Sequence, residues 1–307
     1  CRHCSAELKH TFLDLGSSPP SNAYLSKDAL KEAEQYYPLK VMVCDHCWLV
    51  QTEDFVKADI MFASDYAYFS SYSTSWLVHA KAYVEKVSSK FYLNSNSIVV
   101  EVAANDGYLL QYINDKNIPC YGIEPTHGTA EAAREKGIEV VEDFFGVDLA
   151  SRLLKQGRQA DLMIANNVLA HVPDINDFVK GFSILLKPNG IATFEFPHVL
   201  NLMKNNQFDT IYHEHYSYLS FTAVCKIFDF NGLAVFDVEQ IPTHGGSLRV
   251  YAQIIDSGRF TINKNVTDLK DKEVRAGINS IKTYRGFQEQ AEDIKNNFLS
   301  FLIKAKK

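Results

Sequence analysis

The stretch Ile98-Val99-Val100-Glu101-Val102-Ala103-Ala104-Asn105-Asp106-Gly107-Tyr108-Leu109-Leu110 constrains the fold more than any other part of the chain. A β-branched apolar run ends in an acid, passes a tight turn containing Gly107, and enters a helical pattern. That order is strand, loop and helix N-terminus, the place where an open α/β sheet holds a nucleotide-like ligand at its carboxyl edge. Cys120-Tyr121-Gly122-Ile123-Glu124 repeats the form of a short apolar strand ending in an acid. A carboxylate there suits a ribose diol, because it accepts hydrogen bonds from both hydroxyls. The loop lacks G-x-G-x-x-G, since Ala103 and Asn105 stand where glycines would, which argues against a pyrophosphate and so against NAD or FAD. A ligand with adenosine but no phosphates fits better, and S-adenosylmethionine is the commonest of these. A plain βαβ unit with the acids as solvated caps is the competing interpretation.

Downstream, strand and helix patterns alternate. A helix over Thr129–Lys136 leads to a third strand, Ile138–Phe145, and Asp161–Asn167 forms a fourth. An amphipathic helix over Asp174–Leu186 ends at Lys187-Pro188-Asn189-Gly190, which turns into a fifth strand, Ile191–Phe196. This rhythm predicts an α/β fold with a doubly wound, Rossmann-like parallel sheet. Leu233–Ile241 and Leu248–Ile255, joined by Pro242-Thr243-His244-Gly245-Gly246-Ser247, predict an antiparallel hairpin at the sheet edge, an ending typical of methyltransferase sheets. On this frame Glu124 is expected to take the ribose hydroxyls, with Pro125 beside it. Asp143 is expected to bond the adenine amino group, with Phe144 flanking the ring and Phe145 adjoining. The Glu101–Gly107 loop (Glu101, Ala103, Asn105, Gly107) with Asn166 and Asn167 is expected to hold the methionine portion.

Cys1-Arg2-His3-Cys4 and Cys44-Asp45-His46-Cys47 have the spacing of zinc knuckles. Four thiolates (Cys1, Cys4, Cys44, Cys47) close a tetrahedral shell, so the expected Zn2+ is structural rather than catalytic. A redox dithiol or idle cysteines are the alternatives. The aromatic and hydroxyl cluster Asp65–Ser73, which includes Tyr66 and Tyr68, has the composition of a lid over the nucleotide site or of core. Phe208–Tyr218 interrupts the α/β rhythm on the ligand-bearing edge, and Tyr212-His213-Glu214-His215 offers a base, a group to orient it and a phenol donor.

The net charge of −6, without an extended basic run, disfavours nucleic acid as a partner. No apolar stretch approaches the length of a membrane span, and paired cysteines in so few positions suit a reducing, cytoplasmic setting. The chain opens on Cys1 rather than Met, so a few native residues are expected to precede it. The expected division is 1–73 zinc-binding with the aromatic lid, 74–258 cofactor-binding, and 259–307 a helical tail. Nothing in the sequence sets an oligomeric state.

Together, the C-x-x-C pairs, Ala104-Asn105-Asp106-Gly107, Asn166-Asn167-Val168-Leu169-Ala170-His171-Val172-Pro173-Asp174, Tyr212-His213-Glu214-His215 and His244-Gly245-Gly246-Ser247-Leu248-Arg249 resemble the zinc-containing C-methyltransferases that act on nucleotide-linked keto-deoxysugars. The resemblance implies dependence on S-adenosylmethionine, a structural zinc, and methylation of the carbon next to a ketone, with S-adenosylhomocysteine as product. It implies His215 as the base with Tyr212 and Glu214 beside it, and Tyr66 and His171 facing the sugar or the methyl donor. Glu214 would tune His215, and Tyr212 would donate to the developing enolate oxygen. An O- or N-methyltransferase, or a non-catalytic zinc-bearing module, are the rival classes. The resemblance also implies a further α/β domain beyond a helix like Gln288–Lys307, so a fragment, or a chain lacking that half of the substrate site, is expected.

Overall fold

The structure, a computed structural model, describes residues 1–22, 24–55 and 68–306. Its strands are β1 (His10–Ser18), β2 (Tyr37–Val43), β3 (Val50–Thr52), β4 (Val99–Val102), β5 (Cys120–Ile123), β6 (Glu139–Val141), β7 (Ala160–Asn166), β8 (Leu186–Pro197), β9 (Ser217–Tyr218), β10 (Leu233–Ile241) and β11 (Ser247–Ile254). The larger sheet has the order β10-β11-β8-β7-β4-β5-β6. Strands β4 to β8 pair in parallel, and β11 is antiparallel to both of its neighbours. The doubly wound sheet with a terminal hairpin is therefore the expected one. The hairpin's second strand inserts between β8 and β10, which leaves β10 at the edge. The chain leaves β4 towards β5 and β6 and then returns on the other side through β7 and β8. That reversal opens a crevice at the carboxyl ends of the strands.

Period-two alternation along the central strands feeds two cores. Val100, Val102, Met163 and Ala165 pack with Leu153, Phe178, Phe182 and Phe228. Val99, Leu162 and Ile164 pack with Tyr83, Val84, Val87 and Leu110. Burial on both faces is why these strands read as unbroken apolar runs. Each side chain taken fully out of water contributes about 1.5–3 kcal/mol. Side-chain caps start the surrounding helices. Ser73 Oγ accepts from the Trp76 amide (3.3 Å) at helix Thr74–Lys90, Asp174 from Asp177 (2.9 Å) at helix Ile175–Leu185, and Ser220 from Ala223 (3.0 Å) at helix Phe221–Phe230.

Some element bounds differ from expectation: β8 begins at Leu186, so it includes Lys187–Gly190, which were expected to form a turn before Ile191. The third strand stops at Val141, and residues 142–145 are not part of it. Helix Val147–Lys155, whose Leu149, Ala150 and Leu153 are buried, was not anticipated.

The smaller sheet, β1-β2-β3-β9, is antiparallel throughout, and its last strand comes from the segment just after Tyr212–His215. The knuckle region and the Tyr212 segment thus share one sheet. The tail packs on both sheets. Glu273 of helix Lys264–Arg275 accepts from the Phe221 and Thr222 amides at 2.7 Å each and meets His198 Nε2 at 2.6 Å. Phe287, at the start of helix Phe287–Ala305, stacks on Phe12 with ring centroids 4.8 Å apart. Among the described residues, no helix is long and apolar enough to cross a membrane.

Candidate active site

A cavity of about 730 Å³ opens at the carboxyl ends of the central strands, within the size range of small-molecule sites. One side of it carries most of the expected cofactor residues: Tyr68, Ala103, Asn105, Glu124, Pro125, Asp143, Phe144, Phe145, Asn166 and Asn167. The β4 loop explains how it manages without its glycines. Ala103 (φ +57°) and Asn105 (φ +49°) both adopt the left-handed conformation that glycine would have supplied. Gly122 on β5 lets the loop come close, since a Cβ there would sit 2.7 Å from Ala104 Cβ.

Glu124 binds the loop from below, accepting from the Asn105 amide (2.9 Å) and the Thr126 amide (3.0 Å). The Thr126 and Thr129 hydroxyls also approach this carboxylate, which offers about four lone-pair sites in all. Burial pushes Glu124 above the ordinary carboxylate value against the pull of these donors. Asn105 in turn fastens the Tyr68–Tyr72 segment over the loop, donating to the Tyr68 carbonyl (3.0 Å) and accepting from the Ser70 amide (2.8 Å). The carboxamide oxygens of Asn166 and Asn167 are buried, line the cavity and have no hydrogen-bond partner among the described residues. An unpaired buried acceptor is costly, and an ammonium group would satisfy it. This set of acceptors fits the ribose and ammonium group of S-adenosylmethionine.

Two cofactor expectations need correction. Glu101 and Gly107 are not among the residues that line the cavity. Glu101 is buried beneath the loop beside Tyr108, and burial pushes its carboxyl well above the ordinary range. A Cβ at Gly107 (φ +72°) would meet Ile138 Cδ1 at 2.5 Å, so this glycine serves close packing rather than a ligand. Asp143 lines the cavity as expected, and its carboxylate pairs with Arg152 and accepts from the Phe144 amide (2.8 Å).

The other side of the cavity carries Tyr212, Glu214, His215, His171 and His244. His215 Nδ1 lies 2.8 Å from the Thr210 carbonyl oxygen, which only accepts, so Nδ1 carries the proton. Burial, followed by the neighbouring His171, holds His215 well below the ordinary imidazole value, so the ring is neutral and Nε2 is a bare acceptor. Tyr212 therefore donates its hydroxyl proton to Nε2 at 2.9 Å. That single proton is not available to an enolate oxygen, which corrects the expected role of Tyr212. Burial and the nearby Glu214 charge raise its phenol further.

Glu214 is likewise not the group that orients His215, which the Thr210 carbonyl does. Its carboxylate turns to Asn22 Nδ2 (2.7 Å) and Ser21 Oγ (3.1 Å), anchoring the N-terminal region at the cavity. The His171 ring stands 4.6 Å from that of His215, bonds the Glu214 backbone, and is lowered by burial to about 4. His213 faces the other way, against the Tyr37 and Pro38 carbonyls at 3.2 Å each. Tyr66 lies outside the described residues.

At the knuckles, Cys1 and Cys47 sulfurs are 3.5 Å apart, Cys4 and Cys44 3.6 Å, and all four lie within 4.8 Å of one another. A tetrahedral centre with Zn–S near 2.3 Å requires sulfurs about 3.8 Å apart, so the four thiols fit a closed structural zinc site. His3 is turned away, its Nδ1 2.9 Å from Asn176 Oδ1. Gln51 on β3 donates to Cys1 Sγ (3.2 Å), and Arg2 reaches the carbonyls of Pro173 (2.8 Å) and Thr52 (3.0 Å). The knuckle is thereby tied to the cavity rim and to the strand that pairs with β9.

Asn22, Trp76, Tyr108 and His244 also line the cavity, although the sequence assigned them no role. A histidine before two glycines on the ligand-bearing edge was the available signal for His244. Nothing local marks Asn22.

Three family profiles match the chain: a zinc binding domain over residues 1–62, a methyltransferase domain over 78–238, and a C-methyltransferase C-terminal domain over 242–307. A relative, the C-methyltransferase NovU of Streptomyces niveus, is 30% identical over 295 residues, which span 96% of this chain and 70% of the relative. Among solved structures, the PH0226 protein of Pyrococcus horikoshii OT3 is similar with a TM-score of 0.51 and 13% identity, covering 66% of this chain and 100% of its own. The magnesium protoporphyrin IX methyltransferase of Synechocystis PCC 6803, with bound S-adenosylhomocysteine, gives a TM-score of 0.45 and 16% identity over 57% of this chain and 81% of its own.

Proposed function

The chain belongs to the zinc-containing, S-adenosylmethionine-dependent C-methyltransferase family, and on that premise we propose that it methylates the carbon next to the ketone of a nucleotide-linked keto-deoxysugar. The observation that carries this reading is the Thr210–His215–Tyr212 chain, a neutral imidazole whose bare nitrogen receives a phenol proton inside the cavity. O-methylation needs no base strong enough for a carbon acid, whereas enolisation does.

When bound, S-adenosylmethionine supplies a methyl group on a positively charged sulfur. Glu124 would hold its ribose, and Asn166 and Asn167 its ammonium group. Phe144, half-exposed at the cavity, would flank the adenine. Tyr212 oxygen would take the α-proton of the acceptor as its own proton passes to His215 Nε2, leaving an imidazolium whose Nδ1–H stays on Thr210. The electron pair freed at carbon gives the enolate that attacks the methyl. Holding both reactants in one cavity supplies much of the acceleration.

The test is a panel of dTDP-, UDP- and GDP-linked 4-keto-6-deoxysugars incubated with S-adenosylmethionine and read by mass spectrometry. A gain of one methyl on at least one member supports the reading, and no gain on any member rejects it.

A further inference from the structure

An enolate concentrates negative charge on the former ketone oxygen, and catalysis requires a donor placed there. No lysine or arginine is among the described residues lining the cavity. The Tyr212 proton is committed to His215 and the His215 Nδ1 proton to Thr210. The His171 ring is engaged by the Glu214 backbone. His244 differs from all of these: it lines the cavity as an exposed side chain, and among the described residues neither of its nitrogens has a hydrogen-bond partner. We propose that His244 is a further catalytic residue whose imidazole N–H donates to the acceptor's ketone oxygen and stabilises the enolate. This rests on the C-methylation reading above.

The loop between β10 and β11 is built to present this ring. His244 sits at φ +49°, ψ +45°, a left-handed conformation uncommon outside glycine and asparagine. Gly245 and Gly246 follow at φ +74° and +113°. Side chains there would strike Gln207 and Asn201, at 2.1 and 2.4 Å from a Cβ. Strain of this kind persists where the surroundings over-determine it. Here Ser247 Oγ and the Gly246 amide both donate to the Thr243 carbonyl at 2.9 Å, and Thr243 Oγ1 donates to the buried Glu195 at 3.3 Å. The His244 ring stands edge-on to Trp76, with centroids 5.1 Å apart.

A neutral imidazole is suited to this task, because it donates without giving up its proton outright. In the step, the α C–H bond breaks, its proton goes to Tyr212 oxygen, and the Tyr212 proton goes to His215. The carbonyl π pair moves onto oxygen, where the His244 N–H meets it. In the following step the enolate carbon forms a bond to the methyl, the carbon–sulfur bond breaks, and S-adenosylhomocysteine leaves.

The experiment follows deuterium exchange of the acceptor α-proton in D₂O, with S-adenosylhomocysteine bound and the keto-deoxysugars of the panel as probes. His244→Ala should slow exchange by about 10²–10³-fold, the usual effect of removing one oxyanion donor. Its affinity for S-adenosylhomocysteine, measured by calorimetry, should change little. His244→Asn tolerates the left-handed backbone and keeps a donor, so it should recover part of the rate, and it serves if the alanine variant folds poorly. Wild-type exchange together with undiminished exchange in folded His244→Ala overturns this proposal alone. No exchange in wild type with any probe rejects the C-methylation reading, and the proposal falls with it.

Discussion

The Tyr212 hydroxyl lies 2.9 Å from His215 Nε2, and the opposite nitrogen of the same ring lies 2.8 Å from the Thr210 carbonyl. The two contacts fix both the tautomer and the direction of proton flow. His215→Asn should therefore slow α-proton exchange by about 10²–10⁴-fold, the usual worth of a general base. Donor affinity should stay nearly constant, because neither residue is among those expected to hold the methyl donor. Tyr212→Phe should slow exchange comparably if the phenol relays the proton. Near-normal exchange in Tyr212→Phe would instead assign direct abstraction to His215.

The histidines set a pH dependence of definite sign. His171 is lowered to about 4 by burial, and His215 lies well below its ordinary value. An unfolded chain takes up these protons near pH 6.5, whereas the folded protein does not until much lower pH. Stability should thus be fully present above about 6.5 and fall as the pH drops towards 4. The acid limb of the exchange rate should also lie below 6.5, since the base stays neutral there. Thermal unfolding and exchange rates across this range check both; an acid limb at or above 6.5 would contradict the buried, neutral His215.

Glu124→Gln should weaken binding of S-adenosylhomocysteine by roughly 1–3 kcal/mol, the cost of a lost charged hydrogen-bond partner. Part of that loss should come through the protein, because Glu124 also holds the Asn105 and Thr126 amides. Calorimetry reads the loss; unchanged affinity would remove Glu124 from the site.

Zinc should be present at one ion per chain, and in zinc-finger peptides such sites bind with about 10–16 kcal/mol of apparent free energy. Chelation should expose β1–β3 to hydrogen exchange while β4–β8 stay protected. Because β3 pairs with β9, and Thr52 Oγ1 donates to the His215 carbonyl at 3.3 Å, the Tyr212–Tyr218 segment should loosen with them. Hydrogen exchange read by mass spectrometry separates the segments. Unchanged protection at Tyr212–Tyr218 after metal removal would mean that the knuckle does not support the site.

What was legible in the sequence was local. The β4 loop, the acid ending β5 and the two C-x-x-C pairs each lie within a few residues, so spacing alone carried them. The hairpin was legible too, but not the insertion of β11 between β8 and β10, which depends on pairing with Ile191–Pro197 far upstream. Glu214 was misread because its partners, Ser21 and Asn22, lie 193 and 192 residues away. Tyr212 was misread because its proton's destination depends on a tautomer set by Thr210. His244 gave no periodic signal, since a loop residue's aim is decided by the strands that hold it. Gly107 looked like a ligand contact and proved to be a packing site, because the Ile138 side chain that crowds it belongs to a different turn of the chain.

The most direct measurement uses S-adenosylmethionine carrying a ¹³C-labelled methyl, with the keto-deoxysugar panel as acceptors and carbon NMR as the readout. The account predicts a labelled methyl bonded to the ring carbon beside the ketone, seen as one-bond carbon–carbon coupling in a ¹³C-enriched sugar, and its loss in His215→Asn. A labelled methyl bonded to oxygen or nitrogen, or full transfer to carbon by His215→Asn, would contradict it.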